Sequence, residues 1–178
     1  VMDEGDSLSV GRRRLEFMDS PGHARHHFTI WDEETRGWFT GDTFGLSYRN
    51  LDTEKGAFLF PTTTPIQFDP PALLDSVDRM MARDPGSMYL THFGRVQGLA
   101  RLAEDMRAGV RWYVELGERF EHSDDRTRRI EAAMMSGLME RARAHGVKLD
   151  DVALRATFEG DVVLNTQGIE FWLENGRR

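Results

Sequence analysis

Phe28-Thr-Ile-Trp-Asp-Glu-Glu-Thr-Arg-Gly-Trp-Phe-Thr-Gly-Asp42 is the stretch on which the fold turns. Phe28 and Ile30 alternate with His27, Thr29 and Trp31, the period-two pattern of a half-buried strand. Asp32 to Gly37 is a polar turn, and Trp38-Phe39-Thr40 resumes a strand that ends at Gly41-Asp42. The segment therefore predicts a β-hairpin that delivers a carboxylate to a strand end.

Working outward, Arg12 to Asp19 and Arg25 to Asp32 are short β-rich runs. Residues 43 to 68 read as an ordered loop, broken by Gly45, Gly56, Pro61 and Pro65 but rich in aromatics. Asp69-Pro70 predicts a helix start, with Asp at the N-cap and Pro at the first helical position. Leu73, Leu74, Val77, Met80 and Met81 form its apolar stripe, and Asp84-Pro85-Gly86 stops it. Met88 to Thr91 is a short strand running into His92. Beyond Gly94 the pattern turns helical. Leu99, Met106, Tyr113 and Phe120 recur every seven residues, and a second helix from about Asp124 to His145 carries Ile130, Met134, Leu138 and Ala142. The two predict a helical hairpin over 96–146 whose facing stripes pack together; a dimer seam or an active-site wall is the alternative reading of the first stripe. A last helix is expected over about Thr166 to Glu174.

Composition excludes several classes. The 178 residues are 39% hydrophobic and 30% charged, a globular balance, and the net charge of −7 argues against a nucleic-acid partner. The only basic clusters, Arg12 to Arg14 and Arg126 with Arg128 and Arg129, are short. Without cysteine there is no disulfide, thiolate site or thiol nucleophile. No apolar run approaches the ~20 residues of a membrane span, and the acidic first residues lack a signal-peptide pattern, so no membrane association and a cytoplasmic location are expected.

Three segments carry the chemistry: Asp19-Ser-Pro-Gly-His23, Thr40-Gly-Asp42-Thr43 and Leu90-Thr-His92-Phe-Gly94. Each sets an imidazole or carboxylate just past a predicted strand end, beside a glycine that lets the chain turn sharply. Imidazole and carboxylate without thiolate suit zinc, iron or manganese. The three candidate ligands follow one another at spacings of 19 and 50 residues.

In that order and spacing the segments resemble the third, fourth and fifth metal-binding motifs of the metallo-β-lactamase superfamily, over roughly Leu15 to Arg95. The Pro-Gly-His and Thr-Gly-Asp segments are similar to those of glyoxalase II. The stretches from Asp42 to Arg49, from Phe60 to Asp69 and from Leu164 to Leu173 resemble a bacterial subgroup. The resemblance implies an α/β fold: half of an αββα sandwich over residues 1–95, with a helical C-terminal region over 96–178. It implies two metal ions, zinc first, with His23 completing the first metal's histidine set, Asp42 bridging and His92 binding the second. Such metals make water acidic enough to supply hydroxide near neutral pH, so no protein nucleophile is required. The implied activity is hydrolysis of an ester, thioester, lactam or phosphoester in a small-molecule substrate. The alternatives are a di-iron protein acting on oxygen or nitric oxide on the same frame, and a non-catalytic binding or assembly module.

The family's His-x-His-x-Asp-His signature is absent from these residues. The resemblance therefore implies a partner, the N-terminal half of the same domain, without which the two metals share one carboxylate and keep one histidine each. The chain alone is accordingly expected to hold zinc weakly and to be inactive. His26 and His27 are adjacent and face opposite sides of a strand, so they cannot imitate His-x-His; strand packing is the favoured reading, with a role in orienting ligands as the alternative. Tyr48, Arg49 and Thr62 to Thr64 are candidate substrate contacts.

Overall fold

The computed structural model describes residues 3–176 as a mixed α/β structure: a six-stranded sheet and four α-helices. The strands are β1 (Ser7–Val10), β2 (Arg13–Asp19), β3 (Phe28–Asp32), β4 (Gly37–Gly41), β5 (Ser87–Leu90) and β6 (Gly94–Val96), and they lie in the sheet in that order. Neighbours are antiparallel except β4 and β5, which run parallel because α1 (Pro70–Met81) crosses between them. The β3–β4 hairpin closes on Asp32, whose buried carboxylate accepts from Thr35 Oγ1, the Glu34 amide and Arg13.

Two strands, β1 and β6, and most of the last helix lie outside the expectation from sequence. Every residue of β1 is exposed, so no alternation marks it, and β6 is three residues long. In α1, by contrast, Asp69 accepts from the Ala72 amide as the expected N-cap. Leu73, Val77 and Met80 are buried, and Trp38 Nε1 donates to the Met80 carbonyl at 3.0 Å, which seats α1 on the sheet.

The helices α2 (Leu99–Phe120), α3 (Arg126–His145) and α4 (Asp151–Asn175) form one connected core with the sheet. The expected α2–α3 contact is present, but α3 packs more extensively on α4, and α2 also meets α1 and α4. Leu99, Met106 and Tyr113 are buried while Phe120 is only partly so. The last helix begins at Asp151, capped by Asp150 accepting from the Ala153 amide, some fifteen residues before the expected start. No helix among the described residues is long and apolar enough to cross a membrane.

The two sheet faces differ. One places Met18, Trp31, Trp38, Met88 and Val96 in the core. The register puts Leu8, Leu15, Phe17, Phe28, Ile30, Phe39 and Tyr89 on the other. There Phe39 and Tyr89 stack at 4.9 Å, Phe17 and Phe28 meet at 5.7 Å, and Leu8, Phe28 and Phe39 are exposed. No element of the described residues covers this apolar face.

Candidate metal centre

Sheet topology brings the candidate ligands together. Because β3 is antiparallel to β4, its first residue lies at the edge where β4 ends; because β5 is parallel to β4, its end lies there too. His27 just before β3, Asp42 just after β4 and His92 just past β5 therefore leave the sheet at one edge. His23 joins them from the preceding loop, which is closed by the Ser20 amide donating to the His27 carbonyl at 2.9 Å. The start of α1 presses on this loop. The Asp69 amide donates to the Gly22 carbonyl and Ser76 Oγ to the Pro21 carbonyl. A Cβ on Gly22, at φ +125°, would meet the Leu73 backbone at 2.2 Å, so this position admits only glycine.

The expected trio converges. His23 Nε2 lies 3.7 Å from Asp42 Oδ2, and His92 Nε2 lies 3.6 Å from Asp42 Oδ1. A fourth group joins them: His27, for which the sequence favours strand packing. Its Nε2 lies 4.0 Å from Asp42 Oδ2, and the donors of His23, His27 and Asp42 all fall within 4.8 Å of one another. His26, as expected of its neighbour, turns outward and is exposed. Gly41 makes room for His27, since a Cβ there would touch the imidazole at 3.1 Å.

Hydrogen bonds on the far side of each ring fix what the near side offers. His23 Nδ1 lies 3.0 Å from the Thr62 carbonyl, which can only accept, so in the neutral ring Nδ1 holds the proton and Nε2 presents a lone pair. Thr64 Oγ1 donates to the His23 carbonyl, anchoring the same residue from its backbone. Thr43 Oγ1 lies within hydrogen-bonding distance of Ser20 and of His27 Nδ1, so a hydroxyl donating to Ser20 accepts from Nδ1–H and leaves His27 Nε2 unprotonated as well. The pKa of His27 is lowered, first by burial and then by the neighbouring His23, which favours the neutral ring despite the opposing pull of Asp42.

These groups fit a metal ion. Asp42 Oδ1 is buried with no hydrogen-bond partner, a deficit of upwards of ~1–3 kcal/mol that a cation would remove. Two imidazole lone pairs also face the same carboxylate, which is repulsive unless positive charge lies between them. Donors about 2.0–2.1 Å from a tetrahedral zinc stand ~3.3 Å apart, slightly closer than the 3.7 and 4.0 Å seen here. The two carboxylate oxygens face different imidazoles, Oδ2 towards His23 and His27 and Oδ1 towards His92.

The other candidates lie differently. Tyr48 donates to Asp161 Oδ2 at 2.6 Å, and its ring meets Phe93, the neighbour of His92, at 4.8 Å. The pKa of Asp161 is raised by burial, with the Tyr48 hydrogen bond and His92 pulling it back. Arg49 donates to the carbonyl of Ser47 and pairs with Asp52, and no contact connects it to the cluster. Thr62 and Thr64 hold His23, while the Thr63 amide donates to Asn165 Oδ1 in α4 at 2.8 Å. An open cleft of about 350 Å³, lined by His26, His27, Phe28, Ile30, Phe39, Gly41, Asp42 and Thr91, runs from the cluster onto the uncovered sheet face.

The family assignment follows from this arrangement and from residues 1–92, which match the sequence profile of the metallo-beta-lactamase superfamily. The chain belongs to that superfamily. Its Pro-Gly-His, Thr-Gly-Asp and Thr-His segments all lie within the matched region. A metallo-beta-lactamase fold-containing protein of Sulfurisphaera tokodaii, ST1585, is 26% identical over 95 residues, 53% of this chain and 33% of that protein. The crystal structure of ST1585 superposes with a TM-score of 0.57 at 18% identity, covering 95% of this chain and 50% of that one. The metallo-beta-lactamase family protein TTHA1429 of Thermus thermophilus gives 0.53 at 21% identity, covering 89% and 48%. At these identities the structural likeness concerns the fold. The chain spans a third of the length of the curated relative it matches and about half that of these two solved structures.

Proposed function

We propose that this chain supplies one half of a dinuclear metal centre that hydrolyses an ester, thioester, lactam or phosphoester bond in a small molecule. The observation that carries the proposal is the Asp42 carboxylate, whose buried Oδ1 has no hydrogen-bond partner and lies towards His92 Nε2 while Oδ2 lies towards His23 Nε2. In this reading His23 and Asp42 hold the first metal, and Asp42 and His92 the second. The remaining donors come from a segment carrying the family's His-x-His-x-Asp-His signature, in the same polypeptide or a second one. That segment's place is the uncovered face bearing Phe28, Ile30 and Phe39, which is continuous with the cluster. Bound divalent metals polarise the scissile group and make water acidic enough to attack it at neutral pH. The chain's own part is to orient. The Thr62 carbonyl keeps the His23 proton on Nδ1, Asp42 offers one oxygen to each side, and Phe93 and Tyr48 form an aromatic wall beside His92.

The test is metal content and turnover of a polypeptide joining this chain to the His-x-His-x-Asp-His segment, assayed on model substrates of the four bond classes. Two metals per molecule and turnover of at least one class are expected. Asp42→Ala should lower that turnover by at least ~10³-fold, as losing a ligand of both metals requires, with His26→Ala within about threefold of the parent. Equal effects of the two substitutions would refute the reading. Two irons with oxygen consumption, and no hydrolysis, would favour the di-iron alternative.

A further inference from the structure

We infer that His27 is itself a metal donor, so that this chain alone holds one divalent ion between His23 Nε2, His27 Nε2 and Asp42 Oδ2. The inference deepens the proposed metal centre and rests on that reading in one respect only, that the cluster is built for a cation. The family resemblance assigns no ligand to His27; the geometry does. Its Nε2 lies 4.0 Å from the carboxylate beside 3.7 Å for His23, each a few tenths of an ångström wider than the ~3.3 Å of donors on one zinc, and donor atoms of the three residues lie within 4.8 Å of one another. Three protein donors and one open position are what a zinc ion needs to be held by a protein while still admitting water or substrate.

Further observations separate His27 from a histidine that merely packs there. Its Nδ1 faces the Thr43 hydroxyl, itself within reach of Ser20, so the ring has a polar partner behind it and a lone pair in front, the arrangement that orients metal-bound imidazoles. Gly41, at φ +55°, leaves the space the ring occupies. The unpartnered Asp42 Oδ1 lies towards His92 and marks the other side of the carboxylate, so it does not bear on this ion. Counting ligands from the family motifs leaves this chain with too few for tight zinc; counting them from the structure leaves it with three on one side of Asp42. The second side, with His92 and Oδ1, still depends on donors from elsewhere, so the expected stoichiometry of this chain is one ion.

The experiment is calorimetric titration of the 178-residue chain with zinc, for the parent and for His27→Gln, His26→Gln and Asp42→Ala. One zinc per chain is expected. His27→Gln should weaken it by more than ~100-fold, beyond the ~10–100-fold that losing an orienting partner costs. His26→Gln should change it by less than about fivefold. One zinc lost with Asp42→Ala but weakened by about 100-fold or less in His27→Gln would overturn the inference and leave the proposed centre standing. Absence of zinc binding by the parent chain would also overturn it, and the joined polypeptide's metal content would then decide the proposed centre separately. Binding indifferent to Asp42→Ala would overturn both. Should His27→Gln not fold, by thermal melting without metal, nitrogen-15 spectra of the parent decide. Zinc must then shift His27 Nε2 as it shifts His23 Nε2, and an unmoved His27 Nε2 refutes its role as a donor.

Discussion

Asn165→Ala tests whether the helical C-terminal region positions the metal cluster. Asn165 sits fully buried in α4 and closes a small network. Its Oδ1 accepts from the Thr63 amide at 2.8 Å, and its Nδ2 donates to Tyr113 Oη at 3.1 Å and lies 3.4 Å from the Pro61 carbonyl. Tyr113 donates to that same carbonyl at 3.0 Å, so Pro61 keeps a donor when Asn165 is truncated, whereas the Thr63 amide is left buried without an acceptor. That orphan costs ~1–3 kcal/mol. The small cavity left in a close-packed site adds to it, for a total of about 2–4 kcal/mol. With a urea slope of ~2–3 kcal/mol per M, the unfolding midpoint should fall by roughly 1 M, followed by far-UV circular dichroism. The exposed Asn175→Ala should stay within ~0.5 kcal/mol of the parent. The network also reaches the site, because Thr62, between Pro61 and Thr63, accepts from His23 Nδ1. The His23 ring resonances should therefore shift in Asn165→Ala and not in Asn175→Ala. A loss below ~0.5 kcal/mol with unmoved His23 resonances would refute the coupling of α4 to the cluster.

Two further expectations concern packing alone. Gly22→Ala forces a Cβ to within 2.2 Å of the Leu73 backbone at a positive φ, so α1 must move off the His23 loop; a loss above ~3 kcal/mol in chemical denaturation is expected, and a loss under ~1 kcal/mol would show the contact to be soft. Met106→Ala, at a fully buried position of α2, should cost ~2–5 kcal/mol and the partly exposed Phe120→Ala distinctly less. A reversed order would mean that the seven-residue stripe faces the core at its other end.

Those stripes show which parts of the fold are legible from residues alone. The β3–β4 hairpin and α1 are readable because local chemistry and tertiary role agree: alternation, a polar turn, an Asp-Pro start and an apolar stripe each mark the element that forms. The helix α4 is only partly readable. Val162 and Val163 are β-branched, Gly160 and Gly168 weaken a helical reading, and the buried stripe through Leu154, Phe158 and Val162 runs into Asn165 and Thr166, which are polar. Those residues look like solvent-facing positions, yet Asn165 is buried to meet Thr63, and Gly168 is bare because Thr63 Oγ1 would lie 2.0 Å from a Cβ. The requirement comes from a distant loop of the chain, which no local pattern encodes. The exposed strand β1 carries no burial pattern at all and owes its place to pairing with β2.

The cluster divides along the same line. His23, Asp42 and His92 stand beside glycines at predicted strand ends; each mark is weak alone, and it is their order and spacing, through the resemblance to the superfamily's motifs, that single them out. His27 stands at the start of a strand, where the sense of the chain matters. A residue at that end reaches the cluster only because β3 runs against β4, which places the beginning of one strand beside the end of the next. The hairpin itself is legible in the sequence, so the signal is present: an antiparallel partner preceding Asp42 has its first residues next to it. Of the adjacent pair His26 and His27, alternation from the buried Thr29 and Trp31 assigns His27 to their side and His26 to the other. The side chain facing Asp42 is thus deducible from hairpin sense and strand parity together. Counting ligands by family motif hides it, since a motif records which residues a lineage uses and not which donors a particular chain brings within reach of its carboxylate.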